Sequence, residues 1–190
     1  MTYKTQRLTD FSQVGKLYKS RLESDFAEDE LKPLSVMKKS WEEGNYDCYG
    51  LFEGEEILGY AFFVSNGDNC LLDYFAIKEG RRNEGLGSIF LKQLAACMEK
   101  EKCVTVEVED PNQANCFDDK TLRNRRLQFY LRNGFMETTL KSSVFGVSYR
   151  LLEVSNSVPH SARNIRAAYI ELYRSILPEE FFQTQFSVSN

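Results

Sequence analysis

The stretch LLDYFAIKEGRRNEGLGSIFLKQL, Leu71–Leu94, runs through a strand, a glycine-bearing turn and a helix without a spare residue. Leu71–Ile77 is apolar, β-favouring and aromatic apart from Asp73, a pattern that predicts a largely buried strand. Lys78–Glu84 carries no apolar side chain. From Leu86 the apolar positions Leu86, Ile89, Phe90, Leu94, Cys97 and Met98 form one stripe of a helix, with Lys92, Gln93, Glu99 and Lys100 opposite, and the helix is expected over Leu86–Glu101.

The junction Arg82-Asn83-Glu84-Gly85-Leu86-Gly87-Ser88 is suited to hold an anion. The opening N–H groups of a helix have no internal partner, and the dipole there is positive. Gly85 and Gly87 let the backbone approach a bulky diphosphate, and Arg82 adds a charge-assisted contact. Two other glycine motifs fail on residues their mechanisms need. A P-loop requires Lys and Ser/Thr after the second glycine, where Leu86 and Gly87 stand. A dinucleotide fingerprint requires glycine where Phe90 stands.

The chain of 190 residues is long enough for one domain with a full core and an appendage. Aromatics at 13 % favour a well-filled interior over disorder. No segment approaches the roughly 20 apolar residues that span a bilayer, and the N-terminus lacks the apolar core of a secretion signal, so a cytoplasmic protein is expected. The net charge of −4 argues against nucleic acid or an anionic membrane as partner and is compatible with a cationic small substrate. The cysteines Cys48, Cys70, Cys97, Cys103 and Cys116 are odd in number and never spaced C-x-x-C, so they are expected to be reduced and inert. With His160 as the sole histidine, in a polar linker, neither a metal site nor a histidine-based nucleophile has support.

Before the central stretch, Tyr3–Leu8 predicts a strand. Thr9-Asp10 caps a helix bearing Phe11, Val14, Leu17, Tyr18 and Leu22. Leu34, Met37, Lys38 and Trp41 mark a second helix, and this helical pair covers a substrate pocket or serves as a connector anchored by Trp41. Asp47–Glu53 and Glu56–Ser65 are strands joined by a tight turn at Gly54. After it, Cys103–Glu109 places Val104, Val106 and Val108 on one face and Thr105, Glu107 and Glu109 on the other. Its order behind a strand and a helix calls for a parallel crossover. Asp110–Lys120 reads as a loop, Thr121–Arg132 as a helix, and Phe135–Lys141 with Val144–Leu152 as a hairpin turning near Lys141–Ser143. Ser155–His160 is a linker. Ala162, Ile165, Tyr169, Leu172, Tyr173 and Ile176 then form a helical stripe that packs on its own domain or serves a second copy in a homodimer.

Arg82-x-x-Gly85-x-Gly87 after a strand resembles the acetyl-CoA signature of the Gcn5-related N-acetyltransferase (GNAT) family. A second landmark, Phe129-Tyr130-Leu131-Arg132-Asn133-Gly134-Phe135, is similar to that family's Phe-Tyr-x-x-x-Gly-Phe. The resemblance implies an α/β (α+β) fold, with a mixed, mostly antiparallel sheet of about seven strands flanked by helices, over residues 1–154. Residues 155–190 are then a C-terminal extension. It implies acetyl-CoA as acyl donor, without a metal, and an acceptor that is a small-molecule or peptide amine. The pantetheine arm would pair with backbone near Phe75, Ala76 and Ile77, and the diphosphate would rest on Arg82, Asn83, Glu84, Gly85, Leu86, Gly87 and Ser88. The family's asparagine seven residues before the tyrosine falls on Arg123, with Asn124 one step away as the cofactor contact.

By the same resemblance Tyr130 protonates the departing thiolate. An attacking amine of pKa about 10 must lose a proton, and Glu109 is the first choice of base, with Glu107 and Asp73 behind it. Salt bridges to Arg123, Arg125 and Arg126 are the structural alternative for these carboxylates. A non-catalytic acyl-CoA-binding module with a sensing role is the rival to an enzyme.

Overall fold

The computed structural model describes residues 2–97, 103–155 and 162–190. The predicted helix end at Met98–Glu101 and the linker residue His160 lie outside them. The chain divides into two compact units. The first comprises Met1–Ser65 and Leu72–Glu99, the second Asn66–Leu71 and Lys100–Asn190.

In the first unit Tyr3–Arg7 (β1) pairs antiparallel with Tyr46–Glu53 (β2), Tyr3 facing Glu53. Between them the Asp10 carboxylate accepts the Ser12 N–H at 2.8 Å and caps Phe11–Leu17 (α1). The helix continues as a π turn over Tyr18–Leu22 and ends in Glu23–Asp25 (α2). A π turn inserts a residue into the helical repeat and rotates the residues after it, and such turns recur at functional sites. Leu34–Glu42 (α3) starts behind Pro33 and stops at Gly44, whose φ of 78° is the left-handed conformation of a helix end. Trp41 meets Phe11 edge-on at 5.7 Å, which ties α3 to α1.

Glu56–Asn66 (β3) pairs antiparallel with β2 and is buried on both faces through most of its length. Beside it runs Asn69–Ile77 (β4), and the packing leaves no room for a side chain at Gly59, since a Cβ there would lie 2.9 Å from the Ala76 carbonyl. Tyr46, Tyr60, Phe62 and Tyr74 form an aromatic core with centroids 5.3–6.4 Å apart. Leu86–Cys97 (α4) buries Leu86, Phe90 and Leu94, the predicted stripe, and Gln93 holds it to β1 by donating to the Tyr3 carbonyl at 3.0 Å.

In the second unit Cys103–Glu109 (β5) has the predicted bounds and pairs antiparallel with Val147–Ser155 (β7). Phe117–Arg132 (α5) begins four residues earlier than predicted, because the Cys116 thiol accepts the Asp119 N–H and Asp118 and Asp119 fill the first turn. Met136–Val144 (β6) runs through the expected turn at Lys141–Ser143. The actual turn is Phe145-Gly146, with φ of 48° and 83°, the two left-handed residues of a tight hairpin. Ala162–Ile176 (α6) buries Ile165, Tyr169, Leu172, Tyr173 and Ile176 against its own unit. Beyond Pro178, Glu179–Gln185 (α7) leads into Phe186–Ser189 (β8), an eighth strand paired antiparallel with β6.

The fold is therefore mixed α/β with mostly antiparallel strands flanked by helices. Cys48, Cys70 and Cys103 are buried, whereas Cys97 and Cys116 are exposed. Burial and the neighbouring Glu153 push the Cys103 thiol up to about 12. Among the described residues no helix is long and apolar enough to cross a membrane.

Candidate active site

The anion turn lies wholly in the first unit. Glu79–Arg81 is a single 3-10 turn, after which Arg82 returns to extended backbone and Asn83 and Gly85 adopt φ of 70° and 80°. These two left-handed residues bend the chain from β4 into α4. Ser88 and Ile89 donate their N–H groups to the Gly85 carbonyl at 3.1 Å, so the first carbonyl of the helix is Gly85 and the amides before Ser88 precede any intrahelical acceptor. Asn83, Glu84 and Gly85 are exposed, Gly87 and Ser88 half-buried, and Leu86 turns into the core. A Cβ built on Gly85 meets nothing within 4 Å, so the turn is open on that side.

Side chains brace the turn. Arg81 forks onto both oxygens of Glu84 at 2.8 and 3.0 Å and onto Glu53 at 3.0 Å, which compensates the one acidic side chain within the heptad. Arg82 donates Nε to the Ile77 carbonyl at 3.1 Å and Nη2 to Asp25 at 2.8 Å. On β4, Phe75 stacks on Phe90 of α4 at 5.5 Å and Ala76 is buried, so the strand end and the helix start are packed as one piece.

Each proposed carboxylate has partners. Asp73, nearly inaccessible, forms an ion pair with Lys32 and accepts the Tyr46 hydroxyl at 2.6 Å. Burial and this carboxylate push the Tyr46 phenol well above its usual value. Next to it the Tyr74 hydroxyl donates to the Glu30 carbonyl at 2.9 Å and accepts the Lys32 N–H at 2.8 Å, pinning the loop ahead of α3.

In the second unit Glu109 pairs with Arg123 at 3.3 Å and with Arg126. Glu107 accepts hydroxyls of Tyr169 and Tyr173 from α6. The salt bridges expected from the arginines of α5 thus exist for Glu109, whereas Glu107 is held by the C-terminal helix.

Tyr130 is half-buried, edge-on to Phe129 and Phe135 at 5.1 and 5.2 Å. Burial pushes its phenol above the usual value against the opposing charge of Arg126, so the hydroxyl keeps its proton through neutral pH. Arg123 is buried and donates to Asp119, Glu109 and the Asp110 carbonyl, while Asn124 is exposed on α5.

Sequence reasoning missed the partners: Asp25, Tyr60, Lys32, Tyr169 and Tyr173. Only Asp25 carried a local sign, as an acidic residue four places after Arg21.

The chain matches the model of the Acetyltransferase (GNAT) family over residues 14–135, more than half of its length. It belongs to that family. Its fold is similar to that of a GNAT acetyltransferase from Bacteroides thetaiotaomicron, with a TM-score of 0.73 and 18 % identity over 91 % of this chain and 98 % of the other. The ribosomal-protein-S18-alanine N-acetyltransferase of Escherichia coli is also similar, at a TM-score of 0.62 and 15 % identity over 85 % and 98 %. A GNAT acetyltransferase from Elizabethkingia anophelis, with acetyl-CoA bound, gives 0.57 and 13 % over 80 % and 97 %. Comparison with curated protein sequences finds no match.

Proposed function

We propose that the protein is an acetyl-CoA-dependent N-acetyltransferase that moves the acetyl group to a small-molecule or peptide amine by direct attack in a ternary complex, in the cytoplasm. The observation that carries this reading is the open turn at Gly85, braced by Arg81 and Arg82 at the start of α4 in a chain of this family. Backbone N–H groups over Asn83–Ser88 and the Arg82 guanidinium suit a diphosphate, because unpaired helix-terminal amides and a guanidinium are both donors to phosphate oxygen. Phe75, Ala76 and Ile77 would offer backbone groups to the pantetheine arm, and Asn124 an amide from α5.

Chemically, the neutral amine attacks the thioester carbonyl carbon, the carbon–sulfur bond breaks, sulfur takes a proton from Tyr130, and the proton that the nitrogen sheds on becoming an amide returns to the phenolate, directly or through water. Glu109 is the proposed acceptor of the ammonium proton, directly or through water, with Glu107 and Asp73 the lesser choices. A phenol retained in its neutral form can donate, which suits Tyr130 to the acid role. The Escherichia coli neighbour is named for an alanine of ribosomal protein S18, which supports a peptide amine as acceptor, and the net charge of −4 is compatible with a cationic amine.

A second reading is favoured by one observation: Asp73, Glu107 and Glu109 are all engaged by other side chains. In it the protein binds acyl-CoA without turnover and senses it. Thermal denaturation with acetyl-CoA and a free-thiol assay across an amine panel separate the two. Stabilisation with thiol release establishes the transferase, stabilisation without release on any amine the sensor, and no stabilisation removes both.

A further inference from the structure

Asp25 lies at the end of α2, and its side chain is only 8 % exposed. It accepts the Tyr60 hydroxyl at 2.9 Å, Arg21 Nη2 at 3.3 Å and Arg82 Nη2 at 2.8 Å. Tyr60 is fully buried on β3 and so fixes the carboxylate from below. Arg21 is itself fixed, with its guanidinium 5.5 Å from the centroid of the Tyr60 ring. Two guanidiniums therefore share one carboxylate, and the cluster keeps a net positive charge. Without the carboxylate the two cations would repel each other.

Arg82 is the first residue of the anion turn. Its fork is held at two points, Nε on the Ile77 carbonyl and Nη2 on Asp25, while its side chain remains 41 % exposed. A guanidinium has five N–H donors in a rigid plane, so two anchored donors fix where the others point. We propose that Asp25 is a positioning residue for acyl-CoA: it gathers Arg21 and Arg82 into a cationic pair and orients the Arg82 fork for the diphosphate. This rests on reading the turn as the acyl-CoA seat. The π turn ahead of α2 belongs to the same device, since it sets the rotation at which Asp25 leaves the helix.

The test is calorimetric titration of the full chain with coenzyme A, together with steady-state kinetics. Asp25→Asn keeps the shape and removes the charge, and is expected to raise the Kd for coenzyme A and the KM for acetyl-CoA about tenfold while kcat moves less than about threefold. Arg82→Lys sits on the surface, keeps the charge and loses the two-point hold, so it is expected to weaken coenzyme A to a similar extent. The double variant is expected to bind no worse than the weaker single one. A parent that does not bind coenzyme A overturns the acyl-CoA reading. A parent that binds, with Asp25→Asn and Arg82→Lys within about twofold of it, overturns the positioning role alone, as do additive effects.

Discussion

The Tyr173 hydroxyl on α6 lies 2.8 Å from both carboxylate oxygens of Glu107 on β5. Tyr169 donates to the same carboxylate and stands 2.9 Å from Ser142 Oγ on β6. Burial and the Glu107 charge push the Tyr169 phenol well above its usual value, so it keeps its proton through neutral pH. The tail helix is thereby fastened to the strand by charge-assisted hydrogen bonds as well as by its apolar stripe.

Tyr169→Phe and Tyr173→Phe should each lower the unfolding free energy by about 1.5–3 kcal/mol, the usual loss for a hydrogen bond to a charged group. Because both act on Glu107, the double variant should lose less than the sum. Urea denaturation monitored by circular dichroism measures this, and strict additivity would contradict a shared carboxylate.

Replacing Tyr130 by Phe keeps the ring among Phe129 and Phe135 and removes only the hydroxyl. Turnover should fall roughly 10²–10⁴-fold with coenzyme A affinity little changed. An unchanged turnover in that variant would remove the acid assignment.

At the turn, Gly85→Ala tests backbone conformation alone, because a Cβ there has open space but the φ of 80° is unfavourable to an L side chain. A loss of about 1 kcal/mol in stability is expected. Gly87→Glu instead brings a carboxylate to the proposed phosphate seat. It should abolish stabilisation by acetyl-CoA in a thermal titration while the unliganded melting temperature stays close to that of the parent.

Acid should loosen the second unit through Asp110. Burial raises its pKa, but the Asn112 N–H and Arg150 at 2.9 Å outweigh burial and hold it below the ordinary 3.8. A carboxylate with a depressed folded pKa adds stability above its unfolded value and loses it as pH falls through the folded one. Asp110→Asn should therefore be less stable than the parent at neutral pH, and the gap should narrow as pH falls below 3.8 toward the depressed folded value. Urea midpoints from neutral pH down to about pH 2 test it; a gap constant with pH would show that packing matters instead.

Local patterns were legible where they were strong and uninterrupted. β5 has the bounds its alternation predicts, and the buried face of α4 is its predicted stripe. The final hairpin misled, because the polar run Lys141–Ser143 resembles a turn although it continues β6, half of it facing solvent. Gly146 was the real sign, obscured by an unusual partner in Phe145. The start of α5 was hidden by a thiol cap, which propensity does not favour, and β8 was too short for alternation to register. Within the site, residue types were readable but partners were not. Asp73 with Lys32 and Asp25 with Arg82 are brought together by the fold across long separations in sequence.

The distribution of thiols offers an unplanned pair of optical reporters. Cys97 belongs to the first unit and Cys116 to the second, both accessible, while Cys48, Cys70 and Cys103 are shut away in the interior. A maleimide dye on each accessible thiol can thus report each unit separately on the native sequence, and its emission would follow local change within that unit as acetyl-CoA is added.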